Sequence, residues 1–245
     1  MKPVALFSLL PTLAAAALAG GAAAWWTLRR RLGTTPEVLL RNLDFLAIDI
    51  ETTGLNRRTD QPVALAAIPF VRGHPQIEAA HTTLVNPGRP IPPAAEAIHG
   101  IRDADVRTAP PVAEALSTFL DVCRGRVLVA HTAAFDLAII NRSARRAGVP
   151  RLQGPVLDIG ALAHALFPSW WDLSLEGLAH LMEVEPVDRH TASGDALTAG
   201  VIFLRMVPLL EQRGVPTLAA ADKLQRRTGL IPDGPGATGG GLAGP

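Results

Sequence analysis

The chain has 245 residues, of which 48% are hydrophobic and 18% are charged. This composition supplies enough apolar surface for one buried domain and excludes an intrinsically disordered protein. Lys and Arg together number 23 against 22 for Asp and Glu, so the chain as a whole lacks the polybasic field that captures nucleic acid at long range. Its single cysteine, Cys123, excludes an intramolecular disulfide and a cysteine-rich zinc site.

Residues 1–31 are predicted to form a transmembrane signal-anchor helix with a basic flank. An uncharged run of about 26 residues, 3–28, exceeds the ~20 residues that a helix needs to cross the hydrocarbon core. Two tryptophans lie near its end and three arginines follow at 29–31, which by the positive-inside rule places the rest of the chain in the cytoplasm. We therefore expect a single-pass protein of the cytoplasmic (inner) membrane. The alternative is a signal peptide cleaved near the Ala-Leu-Ala segment at 17–19, where small residues flank the leucine, which would lead to export.

The rest of the chain divides into a linker at 32–43, a main domain at 44–213, a C-terminal helical extension at 214–231 and a Gly/Pro-rich tail at 232–245 that we expect to be disordered. Strands are predicted at 44–50, 62–71, 76–85, 126–131 and 155–158, and a proline-rich loop at 87–93. Helices are predicted at 110–123, 135–148, 159–167, 174–182, 193–213 and 217–227. A hairpin followed by alternating strands and helices predicts an α/β fold, with a mixed β-sheet flanked by helices.

Two acidic residues leave the first predicted strand on the same face. Asp49 and Glu51 are two positions apart, so their Cα atoms are about 6.5 Å apart and both carboxylates can meet one ion. Burying two carboxylates beside such an apolar run is costly unless a divalent cation pairs with them. The alternative is a strand end that emerges into solvent with two surface acids, and the pair taken alone favours that alternative.

Three further residues are candidates for the same site. Asp136 lies at a predicted helix start, where it could equally serve as an N-terminal capping residue. His190 and Asp195 are five positions apart, about 500° on a helix, so they do not share a helical face. They converge only if His190 lies on the loop before the helix and Asp195 lies in its first turns. A solvent-exposed histidine and a helix-start aspartate are the alternative.

The three patterns occur in a fixed order: Asp-x-Glu-Thr-Thr-Gly-Leu at 49–55, His-x-x-x-Phe-Asp at 131–136 and His-x-x-x-x-Asp at 190–195. Together with the surrounding residues at 98–101 and 157–158, they resemble the Asp-Glu-Asp-Asp 3′–5′ exonucleases of the histidine branch (DEDDh). This branch includes the epsilon proofreading subunit of bacterial DNA polymerase III, ribonuclease T and oligoribonuclease. The resemblance runs from about residue 43 to about residue 210. Thr132 departs from it, because family members often carry Asn after the first histidine.

The resemblance implies a ribonuclease H-like fold, which agrees with the mixed sheet, and a site that holds two Mg²⁺ or Mn²⁺ ions. Asp49 is implied to bridge the two ions. Glu51 and Asp195 would complete the first ion site, and Asp136 would hold the second. Two ions about 3.5–4 Å apart can activate a water and stabilise the leaving 3′ oxygen of a phosphodiester. His190 is implied as the general base; the other branch of this superfamily uses a tyrosine, and this chain contains none.

Further residues are implied to contact or support the substrate. Thr52, Thr53 and Leu55 resemble the family's contacts with the 3′-terminal nucleotide, made by backbone, hydroxyl groups and an apolar side chain. His99 would approach the same nucleotide or shape a turn. His131 is expected to support the site through hydrogen bonds before any direct chemistry.

The sequence therefore predicts a two-metal-ion 3′–5′ exonuclease that releases nucleoside 5′-monophosphates from single-stranded DNA. Residues 1–33 hold four basic and no acidic residues, which leaves a net charge of −3 on the rest and suits an enzyme that grips one strand terminus through metals. One alternative is an exoribonuclease on short RNA, since 2′-hydroxyl contacts cannot be read from the sequence. Another is a non-catalytic, membrane-tethered nucleic-acid-binding module. The expected partners are a nucleic acid 3′ terminus and the membrane; no stable polymerase partner is predicted, because the tail is short and has little apolar content.

Overall fold

One central β-sheet organises the fold. The computed structural model describes residues 37–230, so the predicted membrane segment, the first part of the linker and the tail at 232–245 lie outside the described residues. Within the described part, six strands, β1 to β6, span Phe45–Thr52, Pro62–Val71, His74–Pro75, His81–Leu84, Val127–Ala130 and Val156–Asp158. Eight α-helices of the same part, α1 to α8, span Pro93–His99, Asp103–Val106, Val112–Cys123, Ala133–Ala147, Ile159–Leu166, Leu175–Leu181, Ala192–Gln212 and Leu218–Arg226.

Strand β1 lies in the middle of the sheet. The strand order is β3-β2-β1-β5-β6, and β4 pairs with β2. β1 is antiparallel to β2 and parallel to β5, and β5 is parallel to β6. The predicted mixed sheet flanked by helices is therefore confirmed. Because β1 and β5 are parallel, residues that follow their carboxyl ends lie at one edge of the sheet, where ligands bind in open α/β folds.

Each face of the sheet is covered by its own hydrophobic core. Ala47 of β1 belongs to the core that β1 forms with α5, α6 and α7, whereas Leu46 and Ile48 belong to the core formed with α3 and α4. This division follows from the alternation of side chains along a strand. The same alternation places Asp49 and Glu51 on the α7 side, at the carboxyl end of the strand.

Helix α7 packs closely against the sheet. It is long and apolar enough to cross a membrane, but 56% of its most apolar window is buried inside the protein. Gly200 permits the close packing, because a Cβ atom there would overlap the Phe70 ring and lie 3.0 Å from Cβ of Ala47. The helix is therefore held directly over β1, next to the face that carries Asp49 and Glu51.

Two regions differ from the prediction, whereas the other predicted strands and helices agree with the structure to within two residues at each end. The strand predicted at 76–85 is interrupted by a 3-10 turn, Ile77–Ala79, and β4 rejoins β2 only from His81 onward. The side chain of Ile77 is 55% exposed, so this stretch has no core to face and leaves the ladder. Helices α1 and α2 were not predicted; Pro93 begins α1, a position that its fixed φ favours.

The described part of the predicted linker packs on the domain. Leu40 and Leu43 are buried in the core on the α7 side of the sheet. The backbone N–H of Leu40 donates to the carbonyl of Pro216 at 2.8 Å. Leu218 of α8 is buried in the same core. Residues 37–43 and α8 are thus folded parts of this layer.

Candidate active site

Three carboxylates meet at the carboxyl end of β1. Oxygen atoms of Asp49, Glu51 and Asp195 all lie within 4.8 Å of one another, and each of these residues is half-buried. Asp49 and Glu51 share one face of β1, and Asp195 comes from the first turn of α7. The structure thus brings together the carboxylates of the first and last sequence motifs.

The local structure at the start of α7 directs Asp195 toward the strand. Thr191 is the N-cap residue, and its Oγ1 atom accepts a hydrogen bond from the Gly194 N–H at 3.1 Å. The backbone N–H of Asp195 donates to the Thr191 carbonyl at 2.9 Å. A carboxylate in the first turn also interacts favourably with the helix dipole. Asp195 therefore stabilises the helix start and faces the other acids at the same time.

Burial and mutual repulsion raise the pKa values of these carboxyl groups. The pKa of Asp49 lies well above its ordinary value, first because of burial and then because of three neighbouring carboxylates. Burial and the charge of Asp195 raise the pKa of Glu51 to about 7, although the charge of Arg189 lowers it. A cluster of this kind favours a bound cation, because each negative charge disfavours the next.

Asp136 is the fourth acidic residue at this place. It lies in the first turn of α4, is 4% exposed, and its Oδ2 atom is buried without a hydrogen-bond partner. Its pKa is raised, first by burial and then by the charges of Asp158 and Glu51. Asp136 stands outside the group of three within 4.8 Å, but its charge is among those that raise the pKa of Asp49. A buried carboxylate oxygen with no donor is costly, and a cation would remove that cost.

Asp158 positions α4, a role that the sequence did not predict. Its carboxylate accepts from the Ala133 N–H at 2.8 Å, at the start of α4, and from the Gly160 N–H at 2.8 Å, at the start of α5. These bonds join the first turns of two helices and fix the point from which Asp136 enters the site. The only signal in the sequence was the Leu157-Asp158 pair, which matches the family pattern.

His190 lies on the turn directly before α7, the arrangement required for it to converge with Asp195. Its φ of 63° lies in the left-handed region, which is unfavourable for a residue with a Cβ atom. The N–H and hydroxyl of Thr191 hold the turn by donating to the Asp188 carbonyl at 3.2 and 2.6 Å. Gly194 leaves room for the turn that carries His190, because a Cβ atom at position 194 would overlap the backbone of Asp188. Non-glycine residues with such strain often lie at functional sites.

Arg189 is a cation inside the acidic site that sequence reasoning missed. Its guanidinium forms ion pairs with Glu176, in the first turn of α6, and with Asp195. Its charge lowers the pKa values of Asp49 and Glu51. No spacing rule singles out such an arginine, because its contacts are made between separate elements.

The residues that follow β1 form a tied loop. The Thr52 hydroxyl donates to the Gly54 carbonyl at 2.7 Å, and the Thr53 hydroxyl donates to Asp60 Oδ1 at 3.0 Å. Thr53 is 1% exposed, whereas Leu55 is 80% exposed. The Thr53 side chain thus stabilises the loop, whereas the Leu55 side chain is exposed to solvent. Contact of these residues with a nucleotide stays a prediction.

His99 borders a cavity of about 400 Å³ beside the acidic cluster. Other lining residues are Ala64, Thr83, Thr191 and Ser193. Ala64 is the cross-strand partner of Glu51, so the cavity lies next to the carboxylates on the same face of the sheet. The Nδ1 atom of His99 accepts from the Ile101 N–H at 3.0 Å, and burial lowers the pKa of the imidazole. His99 therefore shapes a turn and forms part of the cavity wall.

His131 links the end of β5 to the loop before α6. Its Nε2 atom donates to the carbonyl of Leu173 at 2.7 Å. This loop leads into the first turn of α6, which carries Glu176, the partner of Arg189. His131 thus contacts the backbone around the site, and its expected supporting role stays a prediction.

The donor set fits a divalent cation. Three half-buried carboxylates lie within 4.8 Å of one another, and a fourth is buried nearby with an unpartnered oxygen. Oxygen-only sites of this type are preferred by hard cations such as Mg²⁺ and Mn²⁺.

The mixed sheet, with carboxylates converging from its central strand and from two helix starts, is the arrangement of a metal-dependent nuclease domain. The sequence profile of the RNase T exonuclease family matches residues 46–203. The chain therefore belongs to this exonuclease family, and its motifs are those of the DEDD 3′–5′ type.

Curated relatives are larger proteins that match in one region. A DNA polymerase III subunit epsilon-like protein of Rhodobacter capsulatus is 40% identical over 198 residues, which cover 80% of this chain and 28% of that protein. The PolC-type DNA polymerase III of Caldanaerobacter subterraneus is 32% identical over 176 residues, which cover 72% of this chain and 12% of that protein. The chain thus spans about a quarter or less of the length of these relatives.

Solved exonuclease structures share the fold. Escherichia coli exonuclease I in complex with a dT13 oligonucleotide superposes with a TM-score of 0.61 at 18% identity, over 70% of this chain and 42% of that one. Exonuclease X in complex with 5′ overhanging duplex DNA superposes with a TM-score of 0.56 at 24% identity, over 74% of this chain and 99% of that one. At these identities the likeness establishes the fold of an exonuclease domain.

Proposed function

We propose that this chain is a two-metal-ion 3′–5′ exonuclease that removes nucleoside 5′-monophosphates from the 3′ end of single-stranded DNA. The observation that carries the proposal is the meeting of three carboxylates within 4.8 Å, beside the buried Asp136, in a chain of the exonuclease family. The complex of exonuclease I with dT13 supports single-stranded DNA as the substrate to test first.

The carboxylates would share two Mg²⁺ or Mn²⁺ ions. Asp49, Glu51 and Asp195 would hold one ion, and Asp136 would hold the other together with Asp49. When bound, the ions supply the positive charge that activates a water molecule and stabilises the leaving 3′ oxygen. The fold holds these carboxylates close together, from β1 and from two helix starts. The cavity beside His99 would accommodate the terminal nucleotide.

His190 would accept the proton of the attacking water. It lies on the exposed turn before α7, one residue from the N-cap Thr191, so its imidazole faces solvent rather than the core. An imidazole takes up and releases protons near neutral pH, and proton transfer by such a base contributes about 10²–10⁴-fold to a rate. His190→Ala should therefore lower the rate without removing a metal ligand.

The assay uses the full-length chain with 5′-labelled single-stranded DNA and RNA in Mg²⁺, in Mn²⁺ and in EDTA. We expect a ladder that shortens from the 3′ end in either metal and no cleavage in EDTA. Glu51→Gln and His190→Ala should lose at least about 100-fold in rate, whereas the exposed Glu78→Gln is the matched control and should keep the rate. No cleavage by the folded wild-type chain in either metal would refute the proposal. Faster shortening of RNA would replace DNA by RNA as the substrate.

We further propose that residues 1–31 anchor the enzyme in the inner membrane, with the domain in the cytoplasm and no stable polymerase partner. The long uncharged run followed by three arginines supports this arrangement. A tagged full-length chain should remain in the membrane fraction after a carbonate wash. Recovery of a shortened protein outside the cell would indicate export, and stoichiometric co-purification of a polymerase would contradict the absence of such a partner.

A further inference from the structure

Four exposed arginines on one surface lack an acidic partner. Arg57 and Arg58 lie on the loop after β1, and Arg145 and Arg146 lie in the last turn of α4. Across residues 37–230, no carboxylate lies within ion-pairing distance of any of these four side chains. These four residues form the arginine patch.

Hydrogen bonds lock the loop onto α4 and make the patch a single surface. Arg142, which is buried on α4, donates from Nη1 to the carbonyl of Arg57 at 2.6 Å. Arg146 donates from Nη2 to the carbonyl of Arg58 at 3.4 Å. Burial, together with the charges of Arg146 and Arg145, lowers the pKa of Arg142, as expected where like charges are close.

Local electrostatics accounts for only part of this clustering. Cations in the last turn of a helix gain about 0.3–1 kcal/mol each from the helix dipole, which applies to Arg145 and Arg146. Arg57 and Arg58 lie on a loop and gain no such stabilisation. Acidic residues outnumber basic ones by three in residues 34–245, so a cluster of four unpaired arginines on one surface is a local exception, and a bound polyanion would relieve the repulsion within it.

The arginine patch adjoins the candidate active site. Arg57 follows Leu55 by two positions in the tied loop, next to the residues predicted to contact the terminal nucleotide. On α4, Asp136 lies in the first turn, and Arg145 lies nine residues later, about 14 Å along the helix axis. At about 3.4 Å per nucleotide in a stacked strand, this distance corresponds to about four nucleotides. A strand whose 3′ end lies at the carboxylates would therefore bring upstream phosphates to the patch.

We propose that the arginine patch binds the phosphodiester backbone of the substrate strand, about four nucleotides upstream of the 3′ end that is hydrolysed. This inference rests on the proposed exonuclease function, because that function sets the position and direction of the strand. Guanidinium groups pair with phosphate oxygens through parallel N–H···O bonds, and such contacts do not depend on base sequence. The patch thus provides affinity for strands that extend beyond the terminal nucleotides, in a domain whose net charge is negative.

Binding in EDTA tests the patch separately from catalysis. The full-length chain, kept in a nonionic detergent, is titrated against a 5′-fluorescein thymidine oligonucleotide of about 16 nucleotides over a series of NaCl concentrations, with anisotropy as the readout. Each phosphate contact on a single strand contributes about 0.7 to the slope of log K against log salt concentration. The patch variant carries Arg57→Gln, Arg58→Gln, Arg145→Gln and Arg146→Gln. We expect its slope to be shallower by about 2–3 and its affinity at low salt to fall at least about tenfold.

A control variant makes the same change in net charge elsewhere on the surface. It carries Arg126→Gln, Arg205→Gln, Arg213→Gln and Arg227→Gln, four exposed arginines that lack an ion pair within residues 37–230. Its salt slope should equal that of the wild type, and unchanged melting temperatures show that both variants are folded. If the fourfold patch variant does not fold, the two double variants, at 57/58 and at 145/146, should each show about half of the decrease in slope expected for the fourfold variant, about 1–1.5.

An unchanged salt slope in the folded patch variants would overturn the proposal, and so would an equal loss of slope in the control variant. The proposal would also fail if the patch variant lost binding to phosphatidylglycerol vesicles while its slope on DNA stayed unchanged. That result would assign the patch to a lipid surface. Cleavage of the same oligonucleotide by the wild type in Mn²⁺ is scored separately. If the wild type binds DNA through the patch but does not cleave it, the proposed exonuclease function is refuted and the proposed role of the patch is not. If the wild type cleaves DNA but the patch variant has the same salt slope as the wild type, only the proposed role of the patch is refuted.

Discussion

Arg189 and Asp195 form an ion pair at the centre of the acidic site, so the same carboxylate that would ligate a divalent cation also pairs with a guanidinium. Both side chains are largely shielded from solvent, with 21% and 13% of their surfaces exposed. Arg189 therefore neutralises part of the cluster and competes with an incoming ion for Asp195.

Arg189→Gln should tighten the binding of Mn²⁺, because the negative charge of the cluster increases and Asp195 loses its competing partner. An effect of about 1 kcal/mol corresponds to about fivefold in the dissociation constant, measured by isothermal titration calorimetry. Arg102→Gln, which breaks an exposed ion pair with Asp105 on α2, is the matched control and should leave the constant unchanged. Weaker Mn²⁺ binding by Arg189→Gln would contradict the competition and indicate that Arg189 orients Asp195.

In EDTA, the free energy of unfolding should fall as the pH rises. The pKa of Glu51 is about 7 in the folded chain against 4.5 for the free side chain, so the folded state binds the proton more tightly. The resulting stabilisation is fully present below pH ~4.5 and is lost as the pH rises through about 7. Asp49 and Asp136, whose pKa values are also raised, act in the same direction.

Urea unfolding at about pH 5 and about pH 8 measures this pH dependence. We expect a difference on the order of 2–3 kcal/mol in EDTA, which Glu51→Gln should reduce. Saturating Mg²⁺ should also reduce it, because the ion neutralises the carboxylates. The lowered pKa values of His81 and His99 act in the opposite direction, but equally in the wild type and in Glu51→Gln. A pH dependence that Glu51→Gln leaves unchanged would show that Glu51 is not held with a raised pKa.

Gly200→Ala should destabilise the fold, although alanine normally stabilises a helix by about 0.5–1 kcal/mol relative to glycine. The added Cβ atom would overlap the Phe70 ring and push α7 away from β1, at a cost of about 1–3 kcal/mol in urea unfolding. Because α7 carries Asp195, activity should fall as well. Ser117→Ala, at an exposed position of α3, is the control and should be nearly neutral. Wild-type stability of Gly200→Ala would contradict the close packing of α7.

Asp158→Ala should lower both stability and activity without removing a carboxylate of the cluster. The lost hydrogen bonds to the starts of α4 and α5 should cost about 1–3 kcal/mol, and Asp136 should be displaced. Asp158→Asn keeps one acceptor oxygen for the Gly160 and Ala161 N–H groups at the start of α5 but places an NH2 group against the Ala133 N–H. It should therefore recover part of the thermal stability, while the cleavage rate stays low. A wild-type cleavage rate in Asp158→Asn would show that the bond to the Ala133 N–H does not position Asp136.

Local patterns in the sequence predicted most of the elements that support the site. The apolar run at the start of β1 predicted a buried strand, and the start of α7 was predicted within two residues, because alternation and capping act over a few neighbouring positions. The strand at 76–85 was predicted as continuous, but its side chains meet no core at Ile77, which only the packed structure reveals. Helices α1 and α2 lie in a region rich in proline and short polar stretches, where periodicity is too brief to indicate a helix.

The sequence by itself determined the family, the strand that carries Asp49 and Glu51, and the order in which Asp136, His190 and Asp195 follow. Each of these five residues alone had an ordinary alternative as a capping or surface residue, and only their order along the chain favoured a site. The tertiary structure decided that Asp195 meets the strand, because α7 packs closely on the sheet. It also decided the contacts of Arg189, Asp158 and the arginine patch. The physical reason is that local sequence sets dihedral angles and caps, whereas distances between remote residues depend on how helices pack on the sheet.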